Sequence, residues 1–170
     1  MPKAIKIYVR YVEAVNRKIG KATMYLIFVM MGILLLSSFS RIAFNVPFNW
    51  TLEMSQFTMA AYYLLGGGYS MMLKGHVRMD LLYERWSPKR RAVTDLLTSF
   101  CLIFYLLILL YGAYSSTEYA IKYGETKHSA WAPYMWPIKL IMSFGIVLML
   151  LQAIAEFFRD LAAARGESIT

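Results

Sequence analysis

Long apolar runs constrain the fold of this chain more than any other feature of its sequence. Three of them, residues 22–40, 54–73 and 96–117, hold no charged side chain, and a fourth near the C-terminus carries only Lys139 and Glu156 towards its two ends. A helix needs about 20 mostly apolar residues to cross the hydrocarbon core of a membrane. The sequence therefore predicts an all-α membrane protein that forms one domain over residues 1–170. Its four transmembrane helices are predicted at about residues 22–44, 50–73, 92–119 and 136–158.

Composition excludes most soluble classes of protein. Hydrophobic residues make up 59% of the 170 residues and charged residues 16%, whereas an ordinary globular domain has roughly 45–50% and about 25%. A soluble core of this size could not bury so much apolar surface, which excludes an ordinary cytosolic enzyme. The single cysteine, Cys101, excludes an intrachain disulfide and a cysteine-based zinc site.

The basic residues indicate how the chain is oriented in the membrane. Six precede the first predicted helix, six lie between the second and third, and two follow the fourth, so fourteen of the 18 Lys and Arg residues face one side. The positive-inside rule makes that side the cytoplasm and places both termini there, in an inner membrane. The net charge of +8 is therefore a topology signal, and nucleic acid is not an expected partner.

Two segments have the pattern of helices that lie in the membrane interface. In residues 1–21 apolar side chains at Ile5, Tyr8, Val9 and Val12 alternate with basic ones at helical spacing, and residues 79–86 of the inner loop repeat the pattern. Both are predicted to be amphipathic interfacial helices; a solvated basic tail is the alternative for the first. Four aromatic residues are predicted membrane-interface anchors: Tyr83, Trp86, Trp131 and Trp136.

Catalytic and metal-binding chemistry finds little support in the sequence. The only two histidines, His76 and His128, lie in loops on opposite sides of the predicted membrane, so a haem or metal site is not expected. No nucleophile–base pair or phosphate-binding loop is recognisable. The sequence predicts neither an enzyme nor a cofactor-binding protein.

One carboxylate lies close to a predicted membrane span. Glu53 follows Trp50 near the outer start of the second span, and Arg41 ends the first span across a short connector. A proton-carrying role needs an ionisable group within a span. A structural contact between Glu53 and Arg41 is the favoured interpretation.

Small residues within the spans indicate either close helix packing or a broken-helix binding site. Packing is favoured, because the centres of the spans hold no charged residue. The small-residue content also suggests that the second and third spans face a partner protein. The positions concerned are Gly66, Gly67, Gly68 and Ser70 in the second span and Gly112 and Ser116 in the third.

Several short motifs together resemble a known family. Trp50-x-x-Glu53 opens the second span, the glycine triplet follows, and Gly75-His76-x-x-x-Asp80 comes after it. A Trp-Ala-Pro-Tyr-x-Trp-Pro stretch precedes the fourth span. This combination is similar to the small membrane subunit of tripartite ATP-independent periplasmic (TRAP) transporters. Met54 departs from the second acidic residue expected beside Glu53, so a paired-carboxylate role is not supported.

The resemblance implies a role within an ion-coupled importer. A periplasmic binding protein would deliver an organic acid or similar solute, and a large membrane subunit would carry it with sodium. The small subunit would bind and stabilise the large one without holding substrate or a cofactor, and a bound phospholipid is compatible with its cationic inner face. His76 and Asp80 would fix the bend after the second span. A free-standing homo-oligomeric carrier and a membrane assembly or regulatory protein are the alternatives.

Overall fold

The chain is almost wholly helical in the computed structural model, which describes residues 3–73 and 88–164, with side chains over 5–73 and 94–162. In these ranges an isolated bridge between Thr126 and Tyr134 is the one β-type pairing. The five helices are α1 (Lys3–Met24), α2 (Leu26–Phe44), α3 (Asn49–Met72), α4 (Pro88–Tyr123) and α5 (Trp136–Ala164).

Three helical segments are long and apolar enough to cross a membrane. They are Ile5–Phe44, Thr94–Tyr123 and Trp136–Ala162, which match three of the four predicted spans. The remaining one corresponds to α3, whose 24 residues would extend about 36 Å at 1.5 Å per residue. Glycine, tyrosine and hydroxyl side chains give α3 a more polar composition, so a fourth crossing stays a prediction.

The helices form a layer rather than a closed bundle. Helices α2, α3, α5 and α4 lie side by side in that order: α3 contacts α2 and α5, and α4 makes its extended contacts with α5. The contact of Thr117 with Ser143 at one end, and of Ser99 with Asp160 at the other, makes α4 and α5 antiparallel. The connectors 45–48 and 124–135 lie at the same end of the layer, which we call the outer end.

Helix α1 continues almost directly into α2 and packs on the layer. Tyr25 between them keeps right-handed helical angles, and its N–H still donates to the carbonyl of Ala22. Helix α1 contacts both α3 and α5. Val9 and Val12, expected to face the membrane, are instead buried together with Ala155 of α5. The apolar side of α1 therefore packs on the protein, and a location in the head-group layer stays a prediction.

The buried core is small and lies mainly between α4 and α5. Its principal cluster consists of Met71, Leu106, Ala113, Ile146 and Ala153. Many large apolar side chains of α2 and α4 stay exposed, among them Phe28 at 62% and Tyr111 at 77%. Soluble proteins seldom leave such continuous apolar faces uncovered. The two edge helices thus present surfaces suited to lipid or to another membrane protein.

Candidate functional site

The glycine triplet of α3 is used for packing within the chain. An added Cβ at Gly67 would lie 2.7 Å from the sulfur of Met149, and one at Gly68 would lie 2.7 Å from Oδ1 of Asn16. At Gly66 the nearest atom belongs to Thr23, at 3.9 Å. Gly67 and Gly68 therefore let α5 and α1 approach α3, whereas Gly66 would admit a Cβ at an ordinary contact distance. A partner interface at the glycine triplet stays a prediction.

Two further close approaches were not anticipated from the sequence. A Cβ at Gly145 of α5 would lie 2.7 Å from the backbone oxygen of Leu64, and one at Gly20 of α1 would overlap the Tyr69 side chain. The signal in the sequence for the close approach at Gly145 is a glycine within the fourth apolar run. The backbones of α3 and α5 meet where Gly145 lacks a side chain.

A buried polar clamp joins α1 to α5. The amide nitrogen of Asn16 donates to Oε1 of Gln152 at 2.9 Å, and the two residues are only 2% and 0% exposed. Near them Glu13 forms an ion pair with Arg159, and the hydroxyl of Tyr8 donates to a backbone carbonyl of α5 at 3.2 Å. A glutamine inside the fourth apolar run was the available signal for this clamp.

The clamp leaves hydrogen-bonding capacity unused. Oδ1 of Asn16 and Nε2 of Gln152 are buried and have no partner within the described residues. An unpaired buried amide group costs roughly 1–3 kcal/mol. The hydrogen bonding of these two buried amide groups, where α1 crosses α5, therefore depends largely on the one bond between them.

A polar pocket of about 340 Å³ lies at the outer end. Glu53 lines it with only 6% of its surface exposed, and its Oε2 has no hydrogen-bond partner in the described part of the chain. Arg41 and Lys127 line the same pocket, and Lys127 donates to Gln56 at 2.7 Å.

The expected contact between Glu53 and Arg41 is not formed in this structure. The described residues include no ion pair between them, and the Arg41 side chain is exposed. The two residues nevertheless line one pocket. The sequence therefore placed the two residues correctly near one another, but no ion pair joins them among the described residues.

An apolar groove of about 700 Å³ opens on the layer below this pocket. Helices α2, α3 and α5 form its walls, and Trp131 and Trp136 lie along it, each 42% exposed. Both tryptophans were predicted outer membrane anchors. Trp50, which opens the motif with Glu53, packs instead against Phe48 with ring centroids 6.0 Å apart.

The outer ends of α4 and α5 are tied by Lys139. Its ammonium group lies 2.5 Å from Oε2 of Glu125 and 3.4 Å from the carbonyl of Ser116. Gly112, one turn before Ser116 on α4, has open space around it, with no described atom within 4 Å of an added Cβ. Of the predicted small pair in α4, Ser116 therefore contacts α5 while Gly112 faces outwards.

Several predicted residues lie outside the described part of the chain. These are Gly75, His76, Asp80, Tyr83 and Trp86. The predicted bend after α3 and the inner-loop interfacial helix therefore stay predictions. The described residues hold no group of three or more His, Cys, Asp or Glu side chains that could bind a metal ion.

Comparison with known proteins assigns the family. The family model for tripartite ATP-independent periplasmic transporters, DctQ component, matches residues 30–163. No curated protein matches the chain. The match runs from the second turn of α2 to the last turn of α5. With the apolar helices it makes the chain a multi-pass protein of the inner membrane. This chain belongs to the DctQ family, the small membrane component of tripartite ATP-independent periplasmic transporters.

Proposed function

We propose that this chain is a scaffold that binds and stabilises the large membrane subunit of its transporter. The two uncovered edge helices support this role most directly. Helices α3 and α5 each have neighbouring helices of the chain on both sides, whereas α2 and α4 lie at the edges and expose apolar side chains along their length. A helix layer with two free apolar edges can be extended by helices of another protein.

The outward face of α4 is the preferred docking edge. Gly112 is open there, and its neighbours on the same helical face, Tyr105, Ile108 and Tyr119, are 59%, 57% and 56% exposed. A glycine flanked by large side chains forms a notch into which a second transmembrane helix packs closely. The large subunit is the proposed source of that helix.

The outer end is the proposed contact surface for the periplasmic binding protein. Arg41, Lys122 and His128 are exposed there, so a polar partner could reach them from the periplasm. In this arrangement all four helices α2 to α5 cross the membrane, and both termini are cytoplasmic. The organic acid and the coupling sodium would be held by the other two components.

The role is tested by site-specific photocrosslinking in cells that also produce the large subunit. A photoreactive phenylalanine analogue replaces Ile108 on α4 or Leu35 on α2. The same label at Ile7 of α1 is the control, because Ile7 is exposed but lies on neither edge helix. We expect crosslinks to the large subunit from Ile108, and none from Ile7.

Three results would contradict the proposal. Crosslinks that reach only lipid from both edges would remove the proposed docking surface. Solute uptake by vesicles that contain this chain alone would favour a free-standing carrier, and capture of an unrelated membrane complex would favour an assembly or regulatory protein.

A further inference from the structure

The exposed half of α1 carries a strip of four basic side chains. Lys6, Arg10, Arg17 and Lys21 are spaced by four, seven and four residues and are all exposed. At 3.6 residues per turn this spacing confines them to a sector of about 60°. They extend along about 22 Å of the helix, so the strip could contact several neighbouring anionic groups at once.

This strip has no paired counter-charge within the part of the chain that the structure describes. Glu13 is the single acidic residue in α1, and it is already paired with Arg159 of α5. Among the described residues none of the four basic side chains enters an ion pair. Their positive charge is therefore available to a ligand outside the chain.

A second, short apolar strip lies beside the N-terminal half of the basic one and ends before Lys18, which is exposed on the same line of the helix. Ile7 and Tyr11 are four residues apart and stay 69% and 71% exposed. They are distinct from the apolar side chains of α1 that pack on α5, since Val9 and Val12 are only 3% and 4% exposed. The surface that α1 turns away from the protein is thus itself amphipathic.

We propose that this surface binds anionic phospholipid, with phosphates against the basic strip and acyl chains against Ile7 and Tyr11. The buried clamp of Asn16 and Gln152 holds α1 in a fixed rotation, so that the two strips face lipid together. An acyl chain needs apolar contact beside its charged head group, and an exposed amphipathic helix face offers both. The inference rests on the proposed membrane orientation, in which this end of the layer is cytoplasmic.

The strip is tested by lipid titration of the purified chain in neutral detergent, followed by native mass spectrometry. Phosphatidylglycerol and phosphatidylcholine with identical acyl chains are the two ligands. The variant Arg10→Gln with Arg17→Gln removes two charges from the strip. Arg41→Gln with Lys122→Gln is the matched control, because it removes two exposed charges from the outer end and gives the same net charge.

We expect the strip variant to weaken phosphatidylglycerol binding about tenfold, since each basic residue adds a favourable contact with an anionic lipid. The control pair should leave that binding within about twofold of the parent chain. Phosphatidylcholine binding should be weak and insensitive to both pairs. A further variant, Ile7→Ser with Tyr11→Ser, should weaken the binding of both lipids by removing acyl-chain contacts.

Equal losses in the strip and control variants would overturn the proposal, since they would indicate attraction by net charge alone. Unchanged binding in the strip variant would also overturn it, and so would full competition by inorganic phosphate, which would point to a soluble anion. The titration uses the chain without its partner, so a negative result leaves the docking proposal intact. A failed crosslink at α4 likewise leaves the lipid result unaffected.

Discussion

Glycines in the centre of the layer and glycines on its edges have opposite surroundings. At Gly67, Gly68 and Gly145 an added Cβ would meet another atom at 2.7 Å. At Gly32 of α2 and Gly112 of α4 it would meet no described atom within 4 Å. Glycine therefore allows two helices of the chain to pack closely in the centre of the layer, whereas at the edges it leaves an open notch.

The difference separates stability within the chain from association with a partner. Helices α3 and α5 are held close by their glycines and by the clamp from α1, so changes there should act on folding. The outward faces of the two edge helices contribute little to folding because their side chains are exposed. Changes at the edges should act instead on what binds there.

The largest expected effect follows from filling the glycine space between α3 and α5. Gly145→Ala would place a methyl group 2.7 Å from the carbonyl oxygen and 2.9 Å from the carbonyl carbon of Leu64. Backbone atoms cannot move aside as a flexible side chain can, so we expect a loss of about 1–3 kcal/mol of unfolding free energy. Thermal unfolding of the purified chain in detergent measures the effect.

Gly112→Ala is the matched control for Gly145→Ala. The substitution is chemically the same in a transmembrane helix, but the added methyl group meets open space. Its own effect should be neutral or stabilising by up to about 1 kcal/mol, as for glycine replaced in a soluble helix. Equal destabilisation by the two substitutions would contradict the distinction between centre and edge.

The next effect concerns the buried amide pair. Gln152→Met keeps the length of the side chain but leaves the Asn16 amide without its bond, at a cost of about 1–3 kcal/mol. Asn16→Ala should cost a similar amount. The double variant should cost less than the two together, because neither polar group is then left buried alone. Chemical unfolding monitored by circular dichroism gives the four stabilities of this cycle.

An exposed glutamine supplies the comparison for that cycle. Gln56 of α3 also forms one side-chain hydrogen bond, to Lys127, but at the exposed outer end. Gln56→Met should therefore change stability by less than about 0.5 kcal/mol. Strict additivity of the two clamp substitutions would show that Asn16 and Gln152 do not stabilise one another.

Much of the architecture followed from the sequence because apolar runs and charge placement act locally. These local signals were enough to predict the helices, the short connectors and the basic end of the layer. The resemblance carried by Trp50, Glu53 and the glycine triplet led to the correct family.

Which surfaces meet could not be predicted, because this depends on neighbours distant in the chain. Spacing showed that α1 is amphipathic, yet Val9 and Val12 turned out to pack on α5. Small residues marked Gly67 and Gly112 alike, although only Gly67 is covered by another helix. Proximity along the chain brought Arg41 and Glu53 to one pocket but did not produce an ion pair between them in the described part of the chain.

The smallest expected effect on folding, and the sharpest on assembly, comes from the edge glycines. Gly112→Leu and Gly32→Leu fill open space, so the chain alone should keep its stability or gain up to about 1 kcal/mol from the better helix propensity of leucine. If α4 is the docking edge, Gly112→Leu fills the notch that admits the partner helix, and co-purification of the large subunit should fall severalfold. Gly32→Leu should then retain the complex. The reverse pattern would assign docking to α2. Retention of the complex by both variants would mean that the partner uses neither notch, because a leucine side chain cannot be accommodated where two helices are in close backbone contact.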